Sequence, residues 1–524
     1  MSKRNLRNKE SGMALLIALM ALFLISAIGL GMMYMSTGET SINANYKDTQ
    51  LAFFAMRGGL EEGRDRLRSN SPNSIASAMA TMPLPGGANS IVYITNSSGA
   101  GDTVDPKTAS NQYFDDELCS ETVTGVTCGQ SIPASIVQTP YTPSMDPYSG
   151  TSSSLKYKWI RITLKQNNTF TNALVAPIDA THTATSQVCW DSSSNREVLL
   201  SYLNSLGGTG TPYANCDQAR TIGGQQVGPL YIVTSLAITP SGSRRIGQYE
   251  TAAENITPPP GALSLDGPGQ PNNIFSNPNS NQYYVNGTDG SNSPPAKAGC
   301  TPNQPAAPAI GTSTTGVTNI DANLLGPPDR SNHYTGSTAS PSVVDETTQL
   351  STTMYANPST LNNLVSMLAN GADYTLNSCS MNGSTYNGNS SACTPPAQGL
   401  GTTANPQITY VNGDFNMGNA SGAGVLVVTG DLNVNGNGQF TGLVLVVGQG
   451  VMNVNGGGNG TFYGSMFIAN TNSHSSPYSQ LSSVGQPWLN WNGGGGNGIY
   501  YNSCWADAIN GMHYMVVASR EEMY

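Results

Sequence analysis

Hydrophobic and polar positions divide the chain into stretches of different period. From Ser11 to Gly38 there are 28 residues without a charge, and Met13 to Met35 is almost wholly apolar. As a helix, that 23-residue core spans roughly 35 Å, enough to cross a bilayer. Beyond it, Ile42, Leu51, Phe54, Met56, Leu60 and Leu67 recur among polar residues with a helical period. The acids and arginines from Glu61 to Arg68 are spaced for short-range ion pairs. The pattern predicts one helix of about 55 residues, apolar in its first half and amphipathic in its second.

Further along, the period changes. A strand is expected at Ser90 to Thr95, within a looped segment rich in Ser, Thr, Asn and Pro. In Leu155 to Lys165, Ile160, Ile162 and Leu164 alternate with Trp159, Arg161, Thr163 and Lys165, as in a half-buried strand. Leu230 to Thr239 and Arg244 to Ala253 flank Pro240-Ser241-Gly242-Ser243 and read as an antiparallel hairpin. From Ile256 to about Asp329 the sequence turns to Pro, Gly and Asn and reads in part as linker. A helix is expected at Ser359 to Asn370, with Ser359 as its cap and Gly371 as its stop.

A repeat follows. Val411, Val428 and Val447 each open a segment rich in Asn and Gly, at spacings of 17 and 19 residues. The runs beginning at Gly424, Gly442 and Gly464 recur at 18 and 22. Short apolar strands separated by Asn/Gly corners suggest coils of a parallel β-solenoid, with an antiparallel meander as the alternative. The expected fold class is α+β: a long N-terminal helix on an antiparallel sheet, then a β-rich head with a short parallel solenoid. The expected divisions are 1–12, a basic leader; 13–69, the helix; 70–256, the sheet with loop insertions; 257–400, a linker and insertion with a short helix; and 401–524, the solenoid.

Composition narrows the setting. Only 10% of residues are charged and the net charge is −10, which argues against a nucleic-acid surface. Lys3, Arg4, Arg7 and Lys9 precede the apolar run, so the tail is expected in the cytoplasm and everything after Met35 outside. The apolar run is longer than that of a secretory signal and continues as helix rather than into a cleavage region. Eight cysteines lie beyond it, none in a CxxC spacing. Closeness in sequence suggests Cys119 with Cys128, Cys189 with Cys216 and Cys379 with Cys393, leaving Cys300 and Cys504. Without His partners at ligand spacing they read as extracytoplasmic disulfides, not a zinc site.

Catalytic patterns are absent from the sequence. His182, His333, His474 and His513 stand singly, and there is no GxSxG or GxxxxGK. Solenoid lyases need a basic side chain, whereas no Lys or Arg lies between Arg330 and Arg520, and only Asp414 and Asp431 occur among the coils. Asn286 to Asn292 is rich in oxygen ligands but lacks the spaced acids of a calcium loop and reads as a turn. No enzyme, cofactor or metal is expected. Trp488, Trp491, Tyr500, Tyr501 and Trp505 read as a cap over the core, with stacking on sugar rings as the alternative.

The first 60 residues or so resemble a known family. The short basic leader, the Gly before the apolar run, "NYKDTQLAF" at 45–53 and "GGLEEG" at 58–63 look like the N-terminal domain of PilX-type minor pilins of type IV pili. Ala55-Met56-Arg57-Gly58 departs from the family's usual Ala-Glu-Ala-Gly-type turn. The resemblance implies that a prepilin peptidase cuts after Gly12 and that Met13 becomes the N-methylated first residue. It also implies partners: the inner membrane before assembly, then the major pilin and other minor pilins, with a tip adhesin or surface glycan beyond them. Major pilins carry Glu at the fifth mature position, where this chain has Ile17. A subunit without that carboxylate suits the filament tip, where no neighbouring amine awaits it. The tip pseudopilin of type II secretion lacks it too, and remains the alternative reading alongside a membrane-anchored solenoid that binds or cleaves carbohydrate.

Overall fold

The computed structural model describes residues 10–68, 91–97, 101–119, 157–167 and most of 186–523, with short pieces at 74–75 and 136–138. Residues 1–9 of the leader, Cys128, His182 and His513 lie outside the described residues, as do the side-chain surroundings of residues 10–12 and Cys119.

A single helix runs from Glu10 to Leu67. Residues 13–47 are exposed along its whole circumference, whereas Ala52, Met56, Leu60 and Leu67 are buried. The change coincides with the amphipathic half, which packs on a sheet through Tyr157, Ile160, Ile162, Val233 and Tyr249. Gly59 and Gly63 set the closeness of that approach. A Cβ on Gly59 would lie 2.3 Å from the Ser235 hydroxyl, and one on Gly63 would lie 2.6 Å from Val233. The "GGLEEG" run is thus the seat of the helix on the sheet.

That sheet is antiparallel apart from its outermost pair. Its main order is Ile136–Gln138, Ile91–Thr95, Tyr157–Leu164, Gln225–Ile238, Arg244–Ala253 and Tyr514–Met523. Val188–Asp191 and Arg196–Leu199 extend it from the start of Gln225–Ile238. The expected hairpin is present, and Tyr157–Leu164 is buried on both faces instead of one. Its second face is covered by residues 101–119, where Trp159 packs with Tyr113 and Leu118. Arg161 is fully buried there against the Asp115 carboxylate at 2.7 and 2.8 Å. Its alternation therefore separates two kinds of interior, not core from water.

Among the described residues the second body is a curled sheet of 16 strands, parallel throughout except where Gln480–Gly485 folds back on Thr461–Asn472. One wall stacks, in order, Tyr374–Ser380, Gln407–Asn416, Ser421–Val428, Gln439–Gly448, Thr461–Asn472, Leu263–Asp266, Ile310–Thr312 and Val343–Asp345. At a strand spacing of about 4.8 Å the wall is roughly 34 Å long.

Chain order and stacking order differ. Residues 257–400, expected as linker and insertion, supply the far coils at 263–266, 310–312 and 343–345. Pro/Gly/Asn composition marks their corners, while the strands are too short to carry a visible period. The chain then returns through Thr347–Leu350 and the helix Pro358–Asn370 along the outside of the wall. That helix is capped by Asn357, whose side chain accepts from the backbone of Ser359 and Thr360, so the cap lies two residues before the expected Ser359. From Tyr374 the chain climbs coil by coil until Thr461–Asn472 meets Leu263–Asp266. The last strand, Tyr514–Met523, leaves the solenoid and joins the first sheet.

The runs at 424–428, 442–447 and 464–469 are continuous because their wall is covered on both sides. Leu426, Val444, Met466, Leu263 and Ile310 point into the solenoid. Val427, Leu445 and Phe467 point outward under Leu361, Leu364 and Leu368 of the covering helix. Corners are fixed by side-chain ladders: Asn453 Nδ2 donates to Asn433 Oδ1 at 3.0 Å and Asn490 Nδ2 to Asn453 Oδ1 at 3.3 Å.

Candidate functional site

Two regions carry features that packing alone does not require. The first is the projecting half of the helix. It is long and apolar enough to cross a membrane, and Met13 and Ile17 are 68% and 62% exposed. Ser26, Thr37, Thr40 and Ser41 donate to carbonyls three or four residues back, so these hydroxyls are satisfied without water. No Asp, Glu, Lys, Arg or His lies between Ser11 and Gly38. Such a surface is stable only against lipid or against other apolar helices.

At its other end the helix is locked to both bodies. Glu62 and Arg66 form a buried ion pair, and the Tyr157 hydroxyl donates to Glu62 at 2.6 Å. Arg68 pairs with Asp373 at the start of the first coil, and its Nε donates to the Met512 carbonyl at 3.0 Å. Asp373 in turn accepts from the Ile408 amide at 2.8 Å. Arg68 therefore ties the end of the helix to the solenoid, while Glu62 ties the same helix to the sheet.

The second region is the solenoid. Among the described residues, disulfides join Cys379 with Cys393 and Cys300 with Cys504 in the solenoid, and Cys189 with Cys216 beside the first sheet. The Cys300–Cys504 bridge spans the place where the two halves of the solenoid meet. Around it, Asp289 accepts from the Ser503 amide at 2.8 Å and the Gln304 amide at 2.8 Å, so the Asn286 to Asn292 turn serves as a docking point.

Beneath Tyr355 the outward column Val427, Leu445, Phe467 continues as Ser264 and Gly311. Glu346 fills the room left at Gly311, where a Cβ would fall inside its carboxyl group. It accepts from the Ser264 hydroxyl at 2.8 Å. Burial, reinforced by Asp266 and Asp345, pushes the Glu346 carboxyl up to about 8. Burial also raises Asp266 to about 7. In both, desolvation favours the protonated carboxylic acid, and spacing in the sequence gave no sign of them.

Among the described residues no group of three or more His, Cys, Asp or Glu is placed to hold a metal. His333 is buried with Nδ1 2.7 Å from the Tyr283 carbonyl, and His474 meets the Asn470 amide. Asp414 accepts from the Asp431 amide at 2.9 Å, a corner contact between coils. The C-terminal aromatics separate. Trp491 and Trp505 are buried, Trp488 is 44% exposed, and Tyr500 and Tyr501 are half-buried. Trp505 packs on the outer face of the wall. The far end of the inner core is instead closed by helix Thr314–Leu325, through Val317, Ile320 and Leu324, which corrects the expectation that these aromatics form the cap.

No family model, curated protein or solved structure matches this chain.

Proposed function

We propose that this chain is a minor pilin of a type IV pilus, acting in assembly initiation or in the tip complex and carrying the solenoid as an outward head. The observation behind the reading is the helix Glu10–Leu67, apolar from Met13 to Met35, exposed from 13 through 47, then seated on an antiparallel sheet. A rod of this kind sits in the inner membrane before assembly and among the helices of other subunits afterwards. Disulfides favour the exported side for the head.

Ile17 supports the tip over the shaft. A carboxylate in an apolar filament core is tolerable only when paired with a neighbour's amine, and this chain brings none. Gly12 and Met13 are the proposed processing pair for the prepilin peptidase. N-terminal mass spectrometry of the protein from sheared surface filaments tests the reading. A methylated Met13 is expected; an intact Met1 on a membrane-retained chain that never enters filaments would overturn it.

A further inference from the structure

We propose that Lys165 and Glu250 condense into an isopeptide bond, with Glu197 as the proton carrier, tying the end of strand Tyr157–Leu164 covalently to strand Arg244–Ala253. The proposal goes beyond the pilin reading and does not depend on it.

Lys165 stands between two carboxylates. Its Nζ lies 2.7 Å from Glu250 Oε1 and 2.9 Å from Glu197 Oε1, and its side chain is 6% exposed. The backbone around it is fixed. The Lys165 amide donates to the Leu230 carbonyl at 2.8 Å, and its carbonyl accepts from the Val188 amide at 2.9 Å. Leu230 and Val188 belong to an apolar cluster with Trp190, Leu199 and Ala252. Glu197 stands directly opposite Trp190 in the hairpin of Val188–Asp191 and Arg196–Leu199. Glu250 is opposite Ile232 in the pairing of Gln225–Ile238 with Arg244–Ala253. Three strands therefore deliver one amine and two carboxyls to the same point.

One ammonium does not neutralise two carboxylates. Burial raises the Glu197 carboxyl above its ordinary value, against the pull of Lys165, and Glu250 adds to the rise. Glu197 is thus the proton holder and Glu250 the charged partner of Lys165. An ion pair withdrawn from water carries a desolvation penalty that can exceed its attraction. Condensation removes both charges.

The step balances with what the site holds. Lys165 passes one proton to the Glu250 carboxylate, leaving a neutral amine beside a carboxylic acid. The Nζ lone pair attacks Glu250 Cδ while Glu197 protonates the departing hydroxyl and takes a proton from Nζ. A C–N bond forms, a C–O bond breaks, one water leaves, and Glu197 ends protonated as it began. No oxidant or cofactor enters. Reactants held in contact by a fold behave as if at concentrations of roughly 10⁵ M or more, which favours the amide over the free pair.

The bond crosses over Gln225–Ile238, which lies between the two strands it joins. Arg244–Ala253 is the strand by which the chain leaves for the solenoid, so the base of the head is anchored to the middle of the sheet.

The test is mass spectrometry of a tryptic digest of the full chain after denaturation, reduction and alkylation. A branched peptide joining Ile162–Arg196 to Ile246–Lys297 is expected, uncut after Lys165 and one water lighter than the two linear peptides together. Glu197→Ala should yield the linear peptides from a chain that still melts cooperatively. Linear peptides alone from the parent, with cleavage after Lys165, or a branch carried on Glu197, would overturn the proposal. So would a branch at parental abundance in Glu197→Ala. The parent digest decides the bond by itself if that variant does not fold.

Discussion

Ala253 and Tyr514 stand opposite each other in adjacent antiparallel strands, although 260 positions separate them. The chain leaves the sheet for the solenoid at the first and returns at the second. The solenoid is therefore an insertion into one hairpin of a helix-and-sheet body. Replacing residues 256–512 with Asn-Gly, a pair suited to a tight hairpin turn, should leave a body that melts cooperatively and retains its antiparallel sheet by circular dichroism. Its midpoint should be lower, since Arg68 loses Asp373 and the Met512 carbonyl. A chain without a cooperative transition would show that the two bodies fold only together.

The Cys300–Cys504 disulfide closes a loop with a sequence separation of 204, against 14 for Cys379–Cys393. On chain-entropy grounds the longer loop is worth about 5 kcal/mol and the shorter about 3 kcal/mol. Replacing Cys300 and Cys504 together with Ser should lower the urea midpoint more than replacing Cys379 and Cys393. Equal midpoints would mean that the 263–266 to 466–469 strand pairing holds the two halves without help.

Much of the first body could be read from the sequence, and the reasons are local. The apolar run, the change to an amphipathic pattern near Leu51, and the Pro240 to Ser243 turn each leave a mark within a few residues. The repeated glycines at 424, 442 and 464 marked the coils because those positions stack in register. The coils at 263–266, 310–312 and 343–345 left no such mark: they are three or four residues long and pair with strands distant in sequence. The Glu346 seat depends on the same long-range stacking, so the spacing of Ser264, Gly311 and Glu346 could not disclose it.

The stacked glycines make a sharp test of the coil geometry. Gly442 has φ +144°, and a Cβ there would lie 1.9 Å from the Gly424 carbonyl oxygen. The obstacle is backbone, so a rotamer change cannot relieve it. Gly442→Ala should cost about 3 kcal/mol, read as a lower denaturation midpoint. A change within 0.5 kcal/mol of the parent, roughly the scatter of neutral surface substitutions, would mean that the wall does not pass through this conformation.

Glu346 and Asp266 make stability depend on pH. In the unfolded chain their carboxyls release protons near pH 4, whereas in the folded chain they hold them to about pH 8 and 7. Between those limits the folded state binds more protons, so the stability these groups confer is complete below about pH 4 and falls as pH rises through 7 and 8. The loss between pH 5 and 8 should be on the order of 6 kcal/mol, a little over half of it from Glu346. Glu346→Gln keeps a side chain able to accept from Ser264 and cannot ionise. It should match the parent at pH 5, exceed it at pH 8, and show a flatter profile in urea titrations. A variant whose stability follows the parent's slope across that range would show that Glu346 is not held as the neutral acid, and that its seat over Gly311 admits a compensated charge.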